Sequence, residues 1–333
     1  MLFDIPFKDH VFNLKVNPGT DTRLSLPSSM AGENYGMRLI HFFTISTCEA
    51  ISDSPAEVHL WREVVPQLAL SYDFLLCGLL SITSLHLALL NPSNDHTAAA
   101  IWYHSKALEL FRPHLEAITP SNVSAIFCFS CLIPLYAFGI HNAAQSPLNP
   151  IDELLQVFTL LRGISIIVRE GMYWLERGHF PSLRLPEPSS DPRTTLSTEV
   201  QSALAELSQY NLSHTANDKM KEIFVRCISM LRNTFMLVYE NPSAKKTVLP
   251  FPIMVPQEFM QSLRDREPMA LAILANYAVV LHWFGKHIWL REWGRQTMMA
   301  VKGVLAGRKC EGCIKWAVAE VQDLNGWPVS HLP

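Results

Sequence analysis

Charge is scarce in this 333-residue chain. Asp, Glu, Lys and Arg make up 17% of it, and 27 basic residues against 30 acidic ones leave a formal charge of −3. That balance gives no electrostatic footprint for the phosphates of nucleic acid. No segment sustains the period-2 alternation of half-buried strands, so no sheet is expected. The chain has no G-x-G-x-x-G and no P-loop to cradle a nucleotide, no H-E-x-x-H for zinc and no G-x-S-x-G elbow for a serine nucleophile. Its first residues, MLFDIPFKDHVFNLKV, scatter charges where a secretory signal needs an apolar core. Seven cysteines, an odd number at irregular spacing, make no disulfide framework and fit a reducing, intracellular compartment.

Apolar side chains are abundant, at 49% of the chain, enough for a sizeable core. The densest stretch is LWREVVPQLALSYDFLLCGLLSITSLHLALL, Leu60 to Leu90. From Phe74 to Leu90 it holds no formal charge, and it ends at Asn91-Pro92, a helix stop. A membrane span needs about 20 predominantly apolar residues. This run is slightly short and is interrupted by Ser81, Thr83, Ser84 and His86, so it reads as a buried core helix, and no transmembrane segment is expected. His86 reads as a hydrogen-bonded core histidine rather than a ligand. Ala125 to Ile140 behaves in the same way, with a break expected at Pro134.

Residues 1–36, rich in Pro, Gly and Ser, read as a loose leader. Helices are expected from Arg38 to Ser52, from Ala56 to about Val65 with an end near Pro66, along the core run to Leu90, and from Ser93 to Arg112. Further helices follow over Ile151 to Gly171, Glu199 to Tyr210, Asp218 to Glu240, Pro256 to Asp265, Pro268 to His282 and Arg291 to Ala306. Residues 181–198, PSLRLPEPSSDPRTTLST, form a flexible internal loop. The fold class is all-α, a multi-helix bundle of roughly ten to twelve helices. It is mainly one large domain over residues 37–333.

Few constellations carry chemistry. Cys310-Glu311-Gly312-Cys313 is a C-x-x-C without a second ligand pair, His331 being the nearby histidine, so no metal is expected there. Cys128-Phe129-Ser130-Cys131 repeats the spacing inside an apolar helix, where small buried thiols are ordinary. His282 and His287, five apart, do not share a helical face. Asp152-Glu153 stands at a helix start, where acidic residues complement the dipole. No catalytic residue, metal site or cofactor is assigned, and the reading leans away from an enzyme. The aromatics are more suggestive. Met172, Trp174, Trp283, Phe284, Trp289 and Trp293 lie near Gly171, Gly178, Gly285 and Gly294. Large rings against glycines can line an apolar ligand cavity, although such rings are more often plain core. These six residues are the candidate ligand-binding set.

Several segments in order resemble one family. MRLIHFFTISTCEAIS (Met37 to Ser52), the Leu60–Leu90 run, YHSKALELFRPHLEAITPSNVSAIFCFSCLIPLYAF (Tyr103 to Phe138), LLRGISIIVREGMYWLERGHF (Leu160 to Phe180) and WLREWGRQTM (Trp289 to Met298) are similar in order and spacing to it. The family is the fungal-specific regulatory domain that follows the zinc-cluster DNA-binding module in transcription factors of the sterol-uptake-control type. The resemblance implies an α-helical regulatory domain of the nucleus or cytoplasm. Its partners would be a sterol-like small molecule and proteins of the transcription machinery, in a setting such as secondary metabolism. The family's zinc cluster is built on Cys-x-x-Cys spacing, and residues 1–36 contain no cysteine. Direct nucleic-acid binding by that module is therefore not expected of the chain as given. Three explanations stay open: a truncated gene model, a regulator that acts without touching DNA, or a scaffold recruited to handle lipophilic metabolites as a carrier or enzyme.

Overall fold

The computed structural model describes residues 26, 34–144, 148–177, 180, 186–189 and 195–322. Most of the leader and of the 181–198 loop lies outside these residues, as do Gly178 and His331. Thirteen helices and no strand occur among the described residues, so the chain is all-α. Contacts group it into two compact units, residues 1–146 with 159–184, and residues 147–158 with 185–333.

The first unit opens with α1 (35–50) and α2 (55–69). Each widens for one turn to i→i+5 bonding: the Cys48 N–H reaches the Phe43 carbonyl, and the Val65 N–H reaches that of Leu60. Ser54 caps α2, its Oγ accepting from the Glu57 N–H at 3.3 Å, with Pro55 in the first turn. The expected stop at Pro66 does not occur, and α2 continues to Ala69. A proline ring crowds the carbonyl four residues back, and the wide turn over Leu60–Val64 relieves that crowding.

The core run is α3 (Asp73–Leu90), with Asp73 in its first turn. It packs along α4 (Asn94–Phe111) and α5 (Val123–Ala144). A helix apolar all round has no face to offer water, and thirteen of its eighteen residues are buried. Its polar side chains are satisfied inside. Thr83 and Ser84 donate to the carbonyls of Leu79 and Leu80 at 2.7 and 2.9 Å, and Ser81 donates across to Ala100 at 2.9 Å. Gly78 is the crossing point with α5, where a Cβ would stand 2.6 Å from Cδ2 of Phe129. Pro134 does not break α5, which runs unbroken through it. One lost hydrogen bond is a local cost, and burial of the flanking Ile133 and Tyr136 outweighs it. By length and composition α3 and α5 could each cross a membrane, yet 72% of the apolar 18-residue stretch of each is buried inside the structure, as in core helices.

α6 (Pro150–Arg177) is one continuous helix. Its residues to Phe158 count with the second unit and those from Thr159 with the first. The second unit continues with α7 (Thr198–His214), α8 (Asp218–Glu240), α9 (Pro250–Met254), α10 (Gln257–Arg264), α11 (Pro268–Trp283), α12 (Trp293–Leu305) and α13 (Lys315–Gln322). Here α11 plays the part that α3 plays in the first unit. It is buried from Met269 through Leu281, and α7, α8, α12 and α13 pack around it. Tyr277 donates to the Val248 carbonyl at 2.8 Å and stacks on Phe251 at 4.8 Å. Asp152, in the first turn of α6, pairs with Arg266 at 2.6 Å.

Candidate functional site

The six aromatic and methionine candidates fall into different units. Met172 and Trp174 are half-buried on the part of α6 that belongs to the first unit, beside exposed Tyr173, whose ring carries the Arg177 guanidinium at 3.9 Å. Trp283, Phe284, Trp289 and Trp293 are buried in the second unit. Trp283 packs edge-on against Phe235 at 5.5 Å and tilted against Tyr239 at 6.2 Å, and its Nε1 donates to Glu320 at 3.0 Å. Phe284 stacks on His287 at 5.6 Å.

The glycines beside these rings abut backbone. A Cβ on Gly285 would meet the carbonyl oxygens of His282 and Arg291 at 2.9 and 3.1 Å, and one on Gly294 would meet the His282 nitrogen at 2.4 Å. Gly285 stands in the turn between α11 and α12 and Gly294 in the first turn of α12, and neither leaves open space beside the rings. A tryptophan at Gly285 would collide with main chain rather than fill a cavity.

Buried polar groups of the first unit were not legible as a site. His86, on α3, faces the Thr47 hydroxyl with Nδ1 at 3.0 Å, and Phe42 lies 5.8 Å from its ring. Burial lowers its pKa to about 4. His104 of α4 and Tyr136 of α5 stack face to face, with centroids 3.6 Å apart and planes 4° from parallel. Burial drives the His104 pKa down to about 3 and the Tyr136 hydroxyl well above its ordinary value. Both side chains are therefore neutral at physiological pH. Nε2 of His104 and the hydroxyl of Tyr136 are buried without a hydrogen-bond partner among the described residues. Burying such groups unpaired costs about 1–3 kcal/mol each. Together they can offer a phenol donor and an imidazole nitrogen, donor or acceptor by tautomer, to a polar atom in an apolar setting.

At the surface of the same unit, the end of α1 and the start of α2 border an open groove of about 510 Å³. It is lined by the Glu49–Arg62 ion pair and by His59, whose Nδ1 lies 3.2 Å from the Glu63 carboxylate. No group of three or more His, Cys, Asp or Glu is placed to hold a metal ion among the described residues.

Residues 38–137 match the model of the fungal specific transcription factor domain. A Zn(2)-C6 fungal-type transcription factor of Gibberella zeae is 25% identical over 305 residues, which cover 85% of this chain. The chain spans 61% of that relative's length. The matched residues run from α1 into α5, within the first unit. His86, His104 and Tyr136 all fall inside the matched residues, whereas Met172, Trp174 and the four rings of the second unit fall outside them.

Proposed function

We propose that this chain is the regulatory part of a transcription-factor-type protein, a helical domain that takes up a lipophilic small molecule of sterol or terpenoid size. The observation that carries the reading is the stacked His104–Tyr136 pair, two neutral rings with unpartnered polar atoms inside an apolar three-helix layer. Buried polar atoms normally find a partner. A single hydroxyl or keto group on an otherwise apolar ligand would supply one. Met172 and Trp174, in the same unit, are kept as apolar wall residues. The packing of Trp283, Phe284, Trp289 and Trp293 supports a structural role for those rings.

In this reading the chain works in the nucleus through partner proteins and does not itself contact DNA. The charge of −3 supports that view for this chain. A gel shift at physiological salt should give no sequence-dependent retardation, and nanomolar specific binding would contradict it. No specific observation favours the carrier or enzyme alternative. The test of ligand uptake is a titration of the folded chain with sterols and terpenoids, repeated on Tyr136→Phe. Saturable binding that Tyr136→Phe weakens supports the reading. Binding of a protein partner with no small-molecule signal would replace it.

A further inference from the structure

The segment Cys310-Glu311-Gly312-Cys313 folds as a 3-10 turn, Lys309–Ile314, between α12 and α13. With three residues per turn and about 2.0 Å rise, positions i and i+3 eclipse each other roughly 6 Å apart. That separation lies inside the ~4.4–6.8 Å between Cα atoms that a disulfide spans. Both cysteines are free thiols carried on this one turn. Cys310 is fully buried, and its Sγ is also 3.3 Å from the Pro268 carbonyl at the start of α11. Cys313 keeps some surface, at 8% exposed. The turn is held shut by Glu311, whose Oε2 accepts from the Gly307 N–H at 3.0 Å, with Gly307 in the left-handed region at φ 73°.

We propose that Cys310 and Cys313 form a redox-active dithiol, a site at which a hydroperoxide converts this chain to an intramolecular disulfide. Cys313 is the attacking sulfur. It is the more exposed of the two; its neighbour Cys310 holds its pKa below the ordinary thiol value, while the same pairing and burial push Cys310 up, and Cys310 keeps its thiol proton toward Pro268. The Cys313 thiolate attacks the terminal oxygen of the hydroperoxide. The O–O bond breaks, the leaving alkoxide takes up from solvent the proton that Cys313 had released to it and departs as the alcohol, and Cys313 becomes a sulfenic acid. The Cys310 sulfur then attacks the Cys313 sulfur. The S–S bond forms, the S–OH bond breaks, and water leaves with the Cys310 proton. Two thiols lose two electrons and two hydrogens, and the hydroperoxide is reduced to an alcohol and water. Oxidation also removes the thiol proton that faces Pro268 and so alters the tie between this turn and α11.

The second C-x-x-C is the internal control. Cys128 and Cys131 of α5 are raised by burial, Cys131 to about 12, and stay protonated. The experiment exposes the folded, reduced chain to hydrogen peroxide, alkylates the remaining thiols and digests with trypsin. Cleavage after Lys309 and Lys315 releases residues 310–315, a peptide holding this pair and no other cysteine. The expected result is that this peptide loses two hydrogens and escapes alkylation at least about tenfold faster than Cys128 and Cys131 are consumed, and that a dithiol reductant restores it. In Cys310→Ser, Cys313 should accumulate as a sulfenic acid that dimedone traps. The proposal is overturned if residues 310–315 keep two alkylatable thiols while Cys128 or Cys131 has oxidised, or if the disulfide joins two chains. The wild-type measurement decides this without any variant having to fold.

Discussion

Gly294 sits directly on the backbone of His282: a Cβ at position 294 would stand 2.4 Å from the His282 nitrogen and 2.5 Å from its Cα. Main chain cannot swing aside as a side chain can. Gly294→Ala should therefore push α12 away from α11 and lower stability by about 1–3 kcal/mol. Gly303, in the same helix, has nothing within 4 Å of its Cβ position, so Gly303→Ala should be neutral or stabilising by up to about 1 kcal/mol. Thermal unfolding of the two variants checks the contrast. Equal melting shifts would mean that the α11–α12 crossing is not placed as described.

Leu79, fully buried in the middle of α3, tests the first unit's core. Leu79→Asp should leave the chain unfolded or insoluble, because an unpaired buried carboxylate costs far more than a lost methyl group. Leu70, 81% exposed at the end of α2, is the matched control, and Leu70→Asp should melt within about 0.5 kcal/mol of wild type. Wild-type-like melting of Leu79→Asp would remove α3 from the core.

Stability should fall on mild acidification. His86 and His104 have folded pKa values lowered from 6.5 to about 4 and about 3, so below pH 6.5 the unfolded chain binds the extra protons. The contribution is fully present above pH 6.5 and is lost as pH falls toward 4. At pH 5 the loss is on the order of 2 kcal/mol for each histidine. Denaturant unfolding between pH 7.5 and 5 should show this slope. His86→Asn, which can still face Thr47, should flatten it by about half. A flat profile would mean that the two rings are already charged or exposed.

Tyr136→Phe removes an unpartnered buried hydroxyl and keeps the ring stacked on His104. The ligand-free chain should therefore gain stability, by about 1 kcal/mol. A loss of that size would show that the hydroxyl is already satisfied within the folded chain.

The fold was more legible in the sequence than the site. α8 runs over the Asp218–Glu240 span read from its periodicity, and α3 follows the uncharged run that ends at Asn91-Pro92. Pro66 and Pro134 misled as breakers. A proline removes one hydrogen bond, a local cost: the wide turn accommodates Pro66 in α2, and the burial that keeps α5 intact comes from partners distant in sequence. The His104–Tyr136 stack joins two helices, and periodicity gives a residue's face but not what it meets across the core. Gly285 and Gly294 were read by their nearness to rings in sequence, while their real neighbours are main-chain atoms of His282 and Arg291. The Cys310–Cys313 spacing was plain in the sequence, but the Pro268 carbonyl that the Cys310 sulfur meets was not.

The most direct test of the account is a calorimetric titration of the folded chain with a panel of sterols and terpenoids bearing a hydroxyl or keto group, on wild type and Tyr136→Phe side by side. Leaving a buried polar partner unpaired typically costs a bound ligand about 1–3 kcal/mol. The predicted result is saturable, one-site binding of at least one member, weakened roughly tenfold or more in the variant. Absence of a saturable signal across the panel, or equal affinity for the two proteins, would contradict a ligand anchored at His104 and Tyr136.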